Sequence, residues 1–424
     1  MRPKLGSLFG AGMATKPFAI LILFFTALCF GDGTDVVAQT GPAGLWDAAI
    51  ECPGGQIKFG LELSNRGDQW SGFIINGPER SKIPTVEVNE QLVRLKIDHY
   101  DSELNLKIQA GEKAGMEMLG GDWKKRRGKD EYVEMKVSAK RNDGKGRSES
   151  SAELPERWAV KFKSDEDPAV GIFKNVNGTE QVLGTFLTTT GDYRFLDGAF
   201  SDGKLELSCF DGAHAFLFIA NREKDGDLAG DFWSSNTWHD TWTAKPDADA
   251  NLPDSFKQTV VSENVELGRL SFPDLDGNPT RLDDPKFAGK IRIIYVFGSW
   301  CPNCHDAAEY FASLEKKYGD KGLSILGLAF EMTGDFKRDS EQVKKYLARH
   351  GSSYPVLIAG LSDKAKASKS LPILDKVRSY PTTIFLDAKG NVKAIHTGFT
   401  GPATGESFTQ LKEQFEKLIT EEIE

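Results

Sequence analysis

Between Trp46 and Trp242 apolar and polar residues alternate in short runs bounded by Gly, Asn and Asp. QLVRLKID (residues 91–98), ELNLKI (103–108), KLELSCF (204–210) and AFLFIA (215–220) are the clearest. A period of two predicts half-buried antiparallel strands. The runs also recur. Trp46, Gly72, Val93, Leu95, Leu104 and Leu106 meet Trp158, Gly184, Leu205, Leu207, Phe216 and Phe218 at a constant offset of 112 positions. After a slip of three, Gly121-Asp122-Trp123 meets Gly230-Asp231-Phe232. A fixed offset predicts an internal duplication: a β domain over 44–243 with repeats at about 44–140 and 157–243. Each copy offers four or five strands, so the two together are expected to close one barrel or pack as a sandwich. The join, Arg141–Glu156, is charged and rich in Gly and Ser, as a long loop should be.

Near residue 245 the pattern changes. AKPDADANLPDS (244–255) is Pro- and Asp-rich, so 244–264 is expected to be a linker. Beyond it, IRIIYVF (291–297) and LSILGLAF (323–330) are unbroken apolar runs, as expected of strands buried on both faces. Phe311, Leu314 and Tyr318 recur at helical spacing, as do Val343, Tyr346 and Leu347, and then Phe408, Leu411, Phe415 and Leu418. TTIFLDAKGNVKAIHTG (382–398) predicts two strands turned at Gly390-Asn391. The order is β-α-β-α-β-β-α, an α/β domain over 265–424 with a central mixed sheet. The fold class is therefore multidomain, a duplicated antiparallel β domain followed by an α/β domain.

The ends and the charge narrow the setting. Arg2, Lys4 and Lys16 precede the apolar run Phe18–Phe30, and Val36-Val37-Ala38 offers small residues before Gln39. This layout predicts a signal peptide over 1–38 and export to the periplasm or cell envelope. The apolar run is short of the ~20 residues that span a bilayer, so an uncleaved leader is the one route to a membrane anchor. Cys29 follows Leu28 where a lipoprotein signal carries Gly or Ala. The formal charge of −9 argues against nucleic acid as a partner. Lys124-Lys125-Arg126-Arg127 is read as a solvated loop. His99, His214 and His239 are scattered and read as ordinary surface or core residues. No cofactor and no metal is expected. Cys52 and Cys209 fit either a structural disulfide or two buried small hydrophobes.

The chemistry concentrates in WCPNCH (300–305). C-x-x-C after a strand is a redox dithiol, whereas C-x-x-C-H is a haem attachment site. The α/β context favours the dithiol and makes His305 an exposed first-turn residue. Zinc lacks two further ligands, and a peroxidase lacks the Pro and Thr its cysteine requires. DLDGN (274–278) has Pro285 where a calcium loop carries Glu, and reads as a hairpin turn. Only a thiolate attacks a disulfide. Cys301, just before Pro302, stands at a helix N-terminus, where free N–H groups favour negative charge. It is the expected nucleophile, with Cys304 one turn on as the resolving thiol. Pro381, opening a strand in SYPTT (379–383), is expected to be cis and to bring Tyr380 beside Cys301.

YVFGSWCPNC, the helix after it and SYPTTIFLDAKGNV resemble the exported TlpA/ResA-type thiol–disulfide oxidoreductases of the thioredoxin superfamily, over about residues 265–424. FPDLDGNPTRLDD (272–284) resembles the hairpin such proteins add before the core. The resemblance implies a redox pair Cys301/Cys304, a cis-proline at Pro381, and Trp300, Pro302 and Tyr380 flanking the substrate. It implies a reductase of protein disulfides, served by an upstream thiol donor. Two positions depart from the pattern. Tyr295 stands where thioredoxin carries a buried acid, and Ala307 where many relatives carry Glu. Glu331, at the end of the second strand, is the preferred proton acceptor for Cys304, ahead of Asp306 and Glu309. The rival function is a binding or scaffold protein of the envelope with an accessory thioredoxin-like domain.

Overall fold

The computed structural model describes residues 41–110, 117–150, 152–262 and 267–423. The expected signal peptide lies outside the described residues.

The β region consists of two nine-stranded antiparallel sheets with the same up-and-down course. In the first, Gly44–Cys52 pairs with Gly55–Arg66 on one side and with the last strand, Tyr132–Arg141, on the other. The sheet thus curls into a barrel, open at the seam between Glu79–Lys82 and Thr85–Asn89. In the second, Arg157–Phe162 pairs with Ala169–Asn175 and Trp238–Pro246, and Ala169–Asn175 also pairs with Gln181–Thr188. That ring closes. Trp46 and Trp158 sit on the first strand of each sheet, Gly72 and Gly184 on the third. Leu104 and Phe216 likewise occupy corresponding strands. The expectation of four or five strands per copy and one shared barrel is corrected: each copy curls into a sheet of its own. Tight glycine turns such as Asp202-Gly203, both at positive φ, fold one strand back on the next.

Three further expectations change. Lys124, Lys125 and Arg126 are not in a loop but end the strand Glu117–Arg126. Lys125 donates to the Ala213 carbonyl at 2.8 Å, and burial pushes its ammonium down to about 8. The last barrel strand runs to Pro246, into the expected linker. The rest of that linker packs down: Phe256 lies against the α/β core, and Thr259 Oγ1 meets Thr397 Oγ1 at 2.7 Å. Cys52 and Cys209 are free thiols; Cys209 is wholly buried inside the closed barrel.

The C-terminal domain begins with a small hairpin, Ser271–Pro273 against Pro279–Arg281. Asp274 closes its turn by accepting from the Asp276 and Asn278 N–H groups. Then follow β1 (Ile291–Phe297), α1 (Pro302–Tyr318), β2 (Leu323–Glu331), α2 (Phe336–His350), β3 (Val356–Leu361), α3 (Lys364–Ser370), β4 (Thr382–Asp387), β5 (Val392–Thr397) and α4 (Glu406–Ile423). β3 and α3 were not expected from the sequence. The sheet order is β3-β2-β1-β4-β5, with β1 parallel to β2 and antiparallel to β4. β1 is central and almost wholly buried, which is why it reads as one apolar run.

The three bodies meet at Arg194. This residue, at φ +63° and 6% exposed, follows the short strand Gly191–Asp192. Its guanidinium binds Glu79 of the first sheet at 2.7 Å, approaches Asp211 of the second at 3.6 Å, and contacts Asp306 of α1. Burial pushes the Asp306 carboxyl up to about 7, with Asp192 and Glu79 adding to the rise and Arg194 opposing it. Around this node, Gln342 Nε2 donates to the Asp98 carbonyl at 2.7 Å, and Arg338 pairs with Asp101.

Removing one partner of a buried ion cluster strands the others, a cost of about 3–5 kcal/mol. Arg194→Met is expected to lose stability on that scale in urea unfolding at pH 8. The deficit should shrink at pH 5.5, where Asp306, raised to about 7, is protonated and no longer needs a cation.

Candidate active site

β1 ends at Phe297, and Gly298-Ser299-Trp300 lead into α1. Cys301 is the N-cap of α1, with extended backbone (φ −99°, ψ 113°), and Pro302 fills the first helical position, where its missing N–H costs nothing. The Cys301 sulfur accepts the Cys304 N–H at 3.3 Å. It therefore lies against the unpaired donors of the helix terminus, the place where a thiolate is stabilised. Cys301 keeps 6% exposure and Cys304 none. Burial is the main force pushing the Cys304 thiol up, and the nearby Cys301 adds to it. The Gly298 N–H and the Tyr295 hydroxyl pull the other way. The two sulfurs are unequal: one caps the helix and keeps some exposure, the other is sealed.

Three neighbours frame the pair. The Tyr380–Pro381 peptide is cis, and Cys301 Sγ donates to the Tyr380 carbonyl at 3.4 Å. Trp300 anchors its indole N–H on the Phe330 carbonyl at 2.9 Å and stands edge-on to Tyr380 at 5.5 Å. Beneath Cys304, the hydroxyls of Tyr295 and Tyr346 both donate to its carbonyl at 2.6 Å.

A protein-family model described as Redoxin matches residues 250–411. Thioredoxin-like protein YneN of Bacillus subtilis is 29% identical over 144 residues, 34% of this chain and 76% of its own. Thiol-disulfide oxidoreductase ResA of Geobacillus thermodenitrificans is 30% identical over 142 residues, 34% of this chain and 73% of its own. The C-terminal domain belongs to the ResA-like thiol–disulfide oxidoreductases of the thioredoxin superfamily. Thiol:disulfide interchange protein DsbE of Haemophilus influenzae is also similar, 29% identical over 165 residues, 39% of this chain and 80% of its own. A solved thiol:disulfide interchange protein from Chlorobium tepidum aligns with 38% of the chain and all of its own at 22% identity, with a TM-score of 0.28.

Within this ResA-like domain the sequence-expected residues separate into two groups. Trp300, Cys301, Pro302 and Tyr380 line one cavity of about 280 Å³, with Cys304 and Pro381 directly behind. Glu331 stands apart. Its two oxygens accept from the Ser299 N–H at 2.8 Å and the Ser299 hydroxyl at 2.7 Å, and neither sulfur is among its hydrogen-bond partners. Burial pushes its carboxyl up to about 7 against those two bonds. Asp306 faces Arg194, away from the thiols.

His305 is corrected: it is 5% exposed, not a surface residue. Nε2 meets the Ser299 carbonyl at 2.8 Å, and Nδ1 meets His350 Nε2 at 2.7 Å. His99 and Tyr100 of the first barrel meet its ring edge-on, with centroids at 5.1 and 4.6 Å. Sequence reasoning also missed the barrel residues at the cavity: Thr188, Thr190, Gly191, Asp192, Tyr193, His214 and Phe216. No local pattern marks them, because their role arises only from docking. Tyr295 did carry a signal, as the residue in place of thioredoxin's acid.

Burial holds His350 down to about 4 and His99 to about 2, and pushes His305 well down too, with Arg349 adding to each. Below pH ~6.5 the unfolded chain binds protons that the folded cluster refuses, so stability falls as pH drops from there toward 4. His350→Gln removes one refused proton while keeping a hydrogen-bonding side chain. The slope of unfolding free energy against pH between 6 and 4.5 should flatten relative to the wild type by up to about one proton.

Proposed function

We propose that this protein is an exported disulfide reductase of the periplasm or cell envelope, with Cys301 as nucleophile and Cys304 as resolving thiol. The observation that carries the assignment of roles is the inequality of the sulfurs: Cys301 caps α1, and Cys304 is sealed behind it. The charge pattern of the leader supports export. Similarity to proteins named for thiol–disulfide oxidoreduction supports the chemistry.

The Cys301 thiolate attacks one sulfur of a substrate disulfide, forming a mixed disulfide and expelling one substrate thiolate. Cys304, losing its proton, attacks Cys301 Sγ. That step releases the second substrate thiolate and leaves a Cys301–Cys304 disulfide. Two electrons pass to the substrate, and an upstream thiol donor restores the dithiol by the same exchange. Tyr380 and Trp300 hold the substrate against Cys301 under this reading.

Burial opposes ionisation of Cys304, so the resolving step needs a proton acceptor. Glu331, raised to about 7, is proposed for it. Its carboxylate grips Ser299, next to the Gly298 N–H that faces the Cys304 sulfur.

Cys301→Ser is expected to abolish disulfide reduction, and Cys304→Ser to accumulate a mixed disulfide visible by mass spectrometry. A measured potential near about −120 mV, the range of strong oxidants, would overturn the reductive direction. For Glu331→Gln, the resolution rate against pH should lose the inflection near 7 that the raised carboxyl imposes. An unchanged profile removes Glu331 from proton transfer.

A further inference from the structure

The closed barrel does more than sit beside the dithiol. Its turn from Thr188 to Asp192 is wedged between the first turn of α1 at Pro302-Asn303 and the loops holding Pro381 and Gly398. Ser379 Oγ donates to the Thr190 carbonyl at 2.7 Å. Asn303 Nδ2 donates to the Asp192 carbonyl at 3.3 Å. The Gly401 N–H donates to Asp192 Oδ2 at 2.6 Å. The approach is so close that a Cβ on Gly191 would lie 2.3 Å from Asn303 Nδ2, and one on Gly398 would lie 2.9 Å from the Thr190 carbonyl carbon. This is a fitted wall.

Its position matters because the Tyr380 carbonyl touches the nucleophilic sulfur. A polypeptide laid along this loop to present a disulfide would run over Ser379, and Thr190 already occupies Ser379. What remains is the cavity of about 280 Å³, just below the range of about 300–1,000 Å³ usual for small-ligand sites. Even a transient redox encounter between proteins buries up to about 1,200 Å² of surface, and Thr190 covers part of the loop that would supply it. The lining is amphipathic. Tyr193, Phe216 and Trp300 supply apolar faces, and Lys364 supplies a cation. Among the described residues the Lys364 ammonium has no ion-pair or hydrogen-bond partner. The Tyr380 hydroxyl is buried and likewise without a hydrogen-bond partner among them.

We infer that the substrate is a low-molecular-weight disulfide bearing a carboxylate, admitted through the barrel-walled cavity, rather than a disulfide on a folded protein. The inference rests on the disulfide-reductase reading and narrows its substrate. The exchange is the one already balanced: Cys301 takes one half of R–S–S–R into a mixed disulfide, and Cys304 releases the other half as a second thiolate.

The test compares three disulfides on the full chain: insulin, neutral hydroxyethyl disulfide and anionic 3,3′-dithiodipropionate. The small disulfides are expected to outpace insulin in kcat/KM by at least about tenfold, equivalent to about 1.4 kcal/mol. The anionic one should exceed the neutral one, with a ratio that falls in Lys364→Gln and at high salt. Gly191→Ala, which pushes the wall off Asn303, should raise the insulin rate relative to the small disulfides. Insulin reduced as fast as the small disulfides by the wild type overturns the inference and leaves the reductase reading intact. An anionic-to-neutral ratio indifferent to Lys364→Gln overturns the carboxylate preference. No turnover of any of the three, with wild type and Cys301→Ser alike, overturns the reductase reading itself.

Discussion

One buried guanidinium organises this molecule. Arg194 reaches a carboxylate in each of three bodies: Glu79 in the open barrel, Asp211 in the closed one and Asp306 on the catalytic helix. A buried charge is tolerated only when paired, so no body can move away without exposing the others' charges to a dry interior. The same side chain lies 3.5 Å from the Pro302 carbonyl in the first turn of α1. The node that joins the domains is therefore about one helical turn from Cys301. Positions as far apart in sequence as Glu79 and Asp306 become parts of one site.

Against that fixed frame, the reactivity of the dithiol follows from two opposed environments. The helix terminus offers Cys301 free N–H groups and partial positive charge. The core offers Cys304 an apolar surround that resists ionisation. The Gly298 N–H and the Tyr295 hydroxyl partly offset this, while Tyr295 and Tyr346 hold the Cys304 carbonyl and burial keeps both phenols neutral. Ala307, where relatives carry an acid, is fully buried and adds no charge. In the loop before Cys301, Glu331 grips the Ser299 hydroxyl and His305 meets the Ser299 carbonyl.

How much of this is visible in the sequence depends on whether the causal contacts are local. Ile291–Phe297 is the central strand of a sheet with helices packed over its faces, and its unbroken apolar run says so. Cys301, Pro302 and Cys304 act through a helix start, a local event, and Pro381 opens the strand that pairs with β1. The short helix α3, KAKASKS, has no apolar stripe, whereas the strand before it, VLIAGL, is an apolar run that the sequence does display. Glu117–Arg126 hides its alternation because Lys and Arg stems lie along the sheet while Leu119 and Trp123 face the core. His305 and the Thr188–Asp192 turn are illegible for a stronger reason. Their surroundings come from another domain, and nothing within a helical turn of either residue encodes the partner.

This division bears on what the barrels do for the chemistry. A redox loop alone is an open edge, with backbone groups available to whatever polypeptide arrives. Here the edge is met by a turn whose fit depends on the absence of side chains at Gly191 and Gly398. Each contact there is an ordinary hydrogen bond, worth about 1 kcal/mol net, so the bonds alone would not hold a wall. The buried ion cluster behind them supplies the rigidity. Selectivity at Cys301 is thus set by the stability of an interface, and a change at Arg194 acts on substrate access without touching the substrate.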